Sequence, residues 1–226
     1  MERYELKMRN LFGNILSDNP LDNNVLQMWS KRDYSLSRFY TTGFETILFN
    51  KDNSFVLETV LSSSVLWEKE ILITGNEKSI EKLSKTVNNQ NLTYHCLDWF
   101  SDGLDNFEEK KSTYSSVTHL LVGIDSDNLI EKIPVKKLLK LSLTHKYNLI
   151  VYCDSPVLGL NDVFDGAIDY MVGGVSIEPL LSFVVARRSR LVQTEGKSRN
   201  FNNDLYSYWQ WSLRNREPFI EPMRGF

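Results

Sequence analysis

Several short runs of this chain are apolar at every consecutive position, among them Ile71-Leu72-Ile73, Leu120-Leu121-Val122 and Leu149-Ile150-Val151. Successive side chains of a strand point to opposite faces. A strand of this kind therefore has to be covered on both sides, which is the situation of a largely parallel sheet with helices on both faces. The residues between such runs supply the covers. Residues 54–65 place Val56, Val60 and Ser63/Ser64 on one helical face with Leu57, Leu61 and Val65 beside it, and Asp52 or Ser54 stands where an N-cap belongs. Residues 77–87 are amphipathic, with Ile80, Leu83 and Val87 inward. Residues 135–145, after Pro134, place Val135, Leu138, Leu139 and Ser142/Leu143 on one side.

The expected strands are 45–50, 70–74, 92–97, 118–124, 147–153, 168–172 and 182–186, and they alternate with helices at βαβ spacing until the last pair. Parallel neighbours need a crossover of about a dozen residues. The segment from Gly173 to Leu181 is too short for one. Residues 168–172 and 182–186 are therefore antiparallel if adjacent, and the fold class is α/β: a three-layer α/β/α arrangement around a mostly parallel, mixed sheet with one reversed strand. Residues 1–45 form a polar, irregular segment, with a turn-rich "SDNPLDNN" at 17–24 and a short helix at "VLQMW". Residues 46–200 form the main domain. Residues 201–226 form an aromatic helix and tail in which Phe201, Leu205, Tyr208, Trp209 and Ser212 share a face and Trp211 falls off it.

The formal net charge of −3 leaves no electrostatic footprint for nucleic acid. The densest basic spot, Arg187, Arg188 and Arg190, reads as a strand-end cap or a solvated helix face. Cys96 and Cys153 show no CxxC spacing and read as buried free thiols of a reducing compartment. His95, His119 and His145 are isolated, without metal-ligand spacing. No apolar leader and no run of about 18 apolar residues is visible, so the expectation is a cytoplasmic protein without membrane or nucleic-acid partners.

Four collinear stretches carry a resemblance: "TILFNKDNSFVLETVLSSSV", "HLLVGID…IPVKKLLKLSLTHKYNLIVYCDS", "AIDYMVGGVSIE…SFVVARR" and "GKSRNFNNDLYSYWQW". Together they resemble the large domain of class V aminotransferases of fold type I, which depend on pyridoxal phosphate (PLP), and within them the 2-aminoethylphosphonate–pyruvate transaminases. The resemblance implies a lysine that links the cofactor and moves the proton, a carboxylate that protonates the pyridine nitrogen, and a Gly-Ser-Gly-Thr loop that cradles the phosphate at a helix N-terminus. The lysine position falls at about Ile177, and no lysine occurs between Lys146 and Lys197. The carboxylate position falls on Tyr152, with Asp154 two residues on. The glycine loop is replaced by Lys51-Asp52-Asn53-Ser54, which lacks the glycines that allow close backbone approach and adds a negative charge. The family's small C-terminal domain has no counterpart in the residues after 217.

These departures set the expectations for function. No catalytic residue is assigned, and Asp52, Asn53, Ser54, Tyr152, Asp154 and Ile177 are vestigial pocket positions. No cofactor is expected, although PLP belongs to the family. The first reading is a catalytically inactive aminotransferase-like chain that serves as a structural or regulatory subunit. The family pairs through its large domain, so a homodimer or a heteromer with an aminotransferase-like chain is the implied assembly. The second reading is a divergent enzyme of the same class, or a remodelled cleft drawing on Ser54, Tyr152, Cys153 and Asp154, with Asp125 and Asp127 of "GIDSDN" as candidate ligands for a divalent cation. The third is a binding module for a small phosphonate or amino compound.

Overall fold

The computed structural model describes residues 43–49, 51–99, 107, 114–124, 133–153, 164, 167–175, 181–200 and 203–216. Seven strands form one sheet: β1 (Phe44–Phe49), β2 (Glu70–Gly75), β3 (Tyr94–Asp98), β4 (Val117–Ile124), β5 (Asn148–Cys153), β6 (Tyr170–Val175) and β7 (Leu181–Arg187). Their order is β1-β7-β6-β5-β4-β2-β3. The pairs β2–β3, β2–β4, β4–β5 and β5–β6 are parallel, whereas β7 runs antiparallel to both β6 and β1. One strand is thus reversed, as the short connection before it requires.

The doubly apolar strands feed two cores. On one face Leu120, Val122, Leu149 and Val151 pack with Leu138 of α3 (Val135–His145). On the other, Leu121, Ile150 and Val172 pack with Val56 and Val60 of α1 (Asn53–Ser64), Leu83 and Val87 of α2 (Glu77–Asn89), Leu191 of α4 (Arg188–Gln193) and Leu205 and Trp209 of α5 (Leu205–Arg216). The result is the three-layer α/β/α fold. Leu143, read as inward, is 70% exposed, and Leu141 takes its place at the core. The last helix packs on α1, α4 and β1, while Trp211 is half exposed.

The reading of β6 as ending at Val172 is corrected: the strand continues through Gly173 and Gly174 to Val175. The glycines suggested a turn, but at Gly173 the missing side chain is what the sheet uses. A Cβ there would lie 2.6 Å from Cζ of Phe183 on the paired strand.

The basic spot also does more than face solvent. Asp169, just before β6, is buried. Its carboxylate accepts from the Leu149 backbone N–H at 2.9 Å and from Arg190 Nε at 2.8 Å, with Arg187 Nε at 3.6 Å. One carboxylate thereby ties β5, β6, β7 and α4 together at the end of the sheet opposite the strand C-termini. Cys153 is buried as read, but Cys96, on the outer strand β3, is exposed.

Next to this network His119 is buried between Thr118 Oγ1, 2.8 Å from Nδ1, and Asn148 Nδ2, which donates to Nε2 at 3.1 Å. Burial, and then the Arg190 charge, push its pKa down to about 3. The folded chain therefore holds this ring neutral where the unfolded chain would protonate it. Stability is fully present above the unfolded value near 6.5 and falls as pH drops toward 3, by up to about 1.4 kcal/mol per pH unit from this group. Urea titrations of wild type and His119→Gln between pH 7 and 4 should show a shallower acid limb in the variant. Removing the Asp169 carboxylate by Asp169→Ala should cost about 2 kcal/mol, since it strands buried donors and two arginines.

Candidate functional site

The strand C-termini of β4, β5 and β6 and the start of β7 meet at one edge of the sheet, where open α/β sheets bind ligands. The N-termini of α1 and α2 arrive at the same edge. Five of the positions singled out in the sequence are described there: Asp52, Asn53, Ser54, Tyr152 and Cys153, the last on the opposite, α3 face of the sheet. Asp125, Asp127, Asp154 and Ile177 lie outside the described residues. Among the described residues no group of three His, Cys, Asp or Glu side chains could hold a metal ion.

Asp52 is the N-cap of α1. Its Oδ1 accepts from the Phe55 backbone N–H at 2.8 Å, and its backbone adopts the extended conformation a cap requires. Asn53, the first helical residue, turns across β6. Its Oδ1 lies 2.7 Å from Ser182 Oγ, which is also 2.7 Å from the Lys51 carbonyl oxygen. This close approach depends on Gly174, because a Cβ there would fall 1.8 Å from Asn53 Oδ1. The helix N-terminus is thus joined to both arms of the β6–β7 pair. Ser54 is half buried in the first turn.

Tyr152 ends β5 on the α1/α2 face and is buried. The helix above it is held close by small residues: a Cβ on Gly123 of the neighbouring strand would lie 2.7 Å from Leu83 Cδ1 and 2.8 Å from Ser79 Cβ. This approach brings Lys82, one residue before Leu83, over the Tyr152 ring, with Nζ 5.2 Å from the centroid. Lys51 lies over Phe55 at 5.7 Å. The edge therefore carries two ammonium groups against aromatic faces, an arrangement each ring quadrupole favours. Lys82 went unnoticed in the sequence, although it lies three residues after the buried Ser79 and so borders the inward stripe of α2.

No family model matches the chain. Among curated proteins it is 26% identical over 196 residues to the 2-aminoethylphosphonate–pyruvate transaminase of Bacillus cytotoxicus, covering 83% of this chain and 54% of that protein. It is 21% identical over 201 residues to the bifunctional phosphonoacetaldehyde hydrolase/aminoethylphosphonate transaminase of Clostridioides difficile, covering 85% and 32%. The chain thus spans about half the length, or less, of these relatives. Among solved structures it is similar to ureidoglycine–glyoxylate aminotransferase from Bacillus subtilis (TM-score 0.60, 14% identity, 90% of this chain and 55% of that one). It is also similar to a serine palmitoyltransferase from S. paucimobilis with a bound PLP–myriocin aldimine (TM-score 0.50, 15% identity, 80% and 50%). The chain is a class V-like relative of the 2-aminoethylphosphonate–pyruvate transaminases and carries the fold of the fold-type I PLP enzymes. No helix among the described residues is long and apolar enough to cross a membrane.

These findings correct the expectation that no cofactor goes with this chain. The relatives are transaminases, and a structure of the same fold holds PLP. The described residues bear on that group at two places. They do not fit its phosphate at α1, where the Asp52 carboxylate already accepts from the helix N-terminus and would repel a second anion. At the end of β5, Tyr152 is buried with Lys82 over its ring and offers the cofactor ring no open face.

The Asn53–Gly174 contact makes a direct prediction. Gly174→Ala should destabilise the fold by about 1–3 kcal/mol through overpacking. Adding Asn53→Gly should recover most of that loss in urea unfolding, because it removes the atom the new methyl group meets.

Proposed function

We propose that this chain is an aminotransferase-like subunit that takes pyridoxal phosphate at the C-terminal edge of its sheet but does not itself carry out lysine-dependent transamination. PLP as the cofactor is supported by the relatives and by the shared fold. The observation that carries the second half is the β6–β7 connection. The two strands pair in register from Tyr170 with Ala186 to Val175 with Leu181. The five residues between them, Ser176-Ile177-Glu178-Pro179-Leu180, contain no amine, and neither does any position from 147 to 196. No other side chain in that connection can form an imine. PLP supplies an electron sink when bound. This chain supplies the Asn53–Ser182 bridge at that edge and no lysine in the β6–β7 connection.

A chain of this kind serves as a structural or regulatory partner, of a second copy or of an active aminotransferase. The test is a PLP titration of the purified protein followed by visible absorbance, with an assay for pyruvate consumption in the presence of 2-aminoethylphosphonate. The expected outcome is a saturable change in the cofactor spectrum with no turnover. Turnover above a heat-treated control would overturn the non-catalytic half, and the lack of any saturable change would overturn cofactor binding.

A further inference from the structure

The sheet ends on one side at β3, which pairs with β2 and with no other strand. We propose that the outer edge of β3 is a self-pairing surface: two copies of this chain join by antiparallel pairing of β3 with β3, across a two-fold axis at Cys96. This association needs no cofactor and stands apart from the reading above.

The hydrogen-bond ladder fixes which backbone groups the edge offers. The Thr93 carbonyl oxygen accepts from the Ile71 N–H at 3.1 Å, and the Trp99 N–H donates to the Gly75 carbonyl oxygen at 3.2 Å. Alternate residues of a strand bond to a given neighbour. Thr93, His95, Leu97 and Trp99 therefore turn their backbone groups to β2, while Tyr94, Cys96 and Asp98 turn theirs outward. Among the described residues, none bonds to the outward backbone groups of Tyr94 or Cys96. Native edges are commonly blunted by lysine, by proline or by a bulge. Residues 94–98 contain no lysine and no proline, and their register against β2 runs from Ile71 with Tyr94 to Gly75 with Asp98 without a shift.

Side chains on both faces hold this edge in place. Tyr94 Oη accepts from Asn88 Nδ2 at 3.2 Å, and Cys96 Sγ lies 3.6 Å from Ser84 Oγ, both on α2. On the other face His95 Nε2 lies 2.8 Å from Glu70 Oε2, with the Tyr114 ring edge-on at 5.0 Å. A strand ordered in advance loses little freedom on pairing.

The outward set is symmetric about Cys96, which is why the partner is a second copy. The two-fold axis sets Cys96 opposite Cys96, Tyr94 opposite Asp98, and His95 opposite Leu97. Outward residues then meet outward residues, no like charges stand opposite each other, and the exposed, uncharged Cys96 lies on the axis. A slip of one residue would set outward groups against groups already committed to β2. Pairing over five residues makes a small interface of the transient kind, so the dimer forms reversibly as concentration rises.

The experiment is sedimentation velocity of the full chain over a concentration series in reductant, with reaction of the same samples with a short thiol-to-thiol cross-linker. The other cysteine, Cys153, is buried, so a cross-link between chains reports Cys96. The expected result is a reversible monomer–dimer equilibrium with a Cys96–Cys96 cross-link. Cys96→Ser should keep the equilibrium and lose the cross-link. Cys96→Pro removes an N–H that β2 does not use. It deletes two hydrogen bonds across the axis and should raise the dissociation constant about tenfold or more. If Cys96→Pro lowers the unfolding midpoint, Cys96→Lys decides in its place, by setting two like charges together on the axis. A monomer at every concentration would overturn self-pairing and leave the edge for a strand of a different protein. A dimer that gives no cross-link, or that persists in the deciding variant, would put the contact on another surface and overturn the proposal equally.

Discussion

The reversed strand β7 is the constraint on which the rest of this structure depends. Inserted between β6 and β1, it pairs antiparallel with both. It thereby allows the chain to return across the strand C-termini in five residues, with no crossover helix. That short return brings Ser182 beside Asn53, closes α1 onto Gly174, and decides what the C-terminal edge presents. At the opposite end of β7, Arg187 meets the Asp169 carboxylate, so the strand is held at both ends by polar contacts and along its length by two cores.

The site follows from this frame. A lysine at this edge has to come from one of the elements that meet there. The β6–β7 return carries none. The α1 end carries a carboxylate cap, which satisfies the helix without an anion. On the α2 side, glycine on β4 lets the helix approach, and Lys82 lies over the buried Tyr152 ring.

Much of the fold was legible because burial on both faces leaves a plain mark. Runs such as Leu149-Ile150-Val151 can only be central strands, and the short stretch before residue 182 required a reversal. Asp52 was legible as a cap because a carboxylate just before a helical stripe has a local role. The misreadings came from partners distant in sequence. Gly173 and Gly174 suggested a turn until Phe183 and Asn53 filled the space above them. Arg187 and Arg190 read as a strand-end cap or a solvated face, and their partner Asp169 stayed hidden because it lies about twenty positions away. Cys96 looked buried because its run is apolar, yet β3 is the outermost strand on its side of the sheet. Lys82 carried only a faint signal, its place on the border of the α2 stripe, and became visible through the close approach at Gly123.

The most direct measurement is a crystal structure of the protein soaked with pyridoxal phosphate. The expected result is difference density for the cofactor at the strand C-termini, with no covalent link to the β6–β7 return and with Asp52 still capping α1. Density for the phosphate on the N–H groups of α1 with Asp52 displaced, or no cofactor density at this edge, would contradict it.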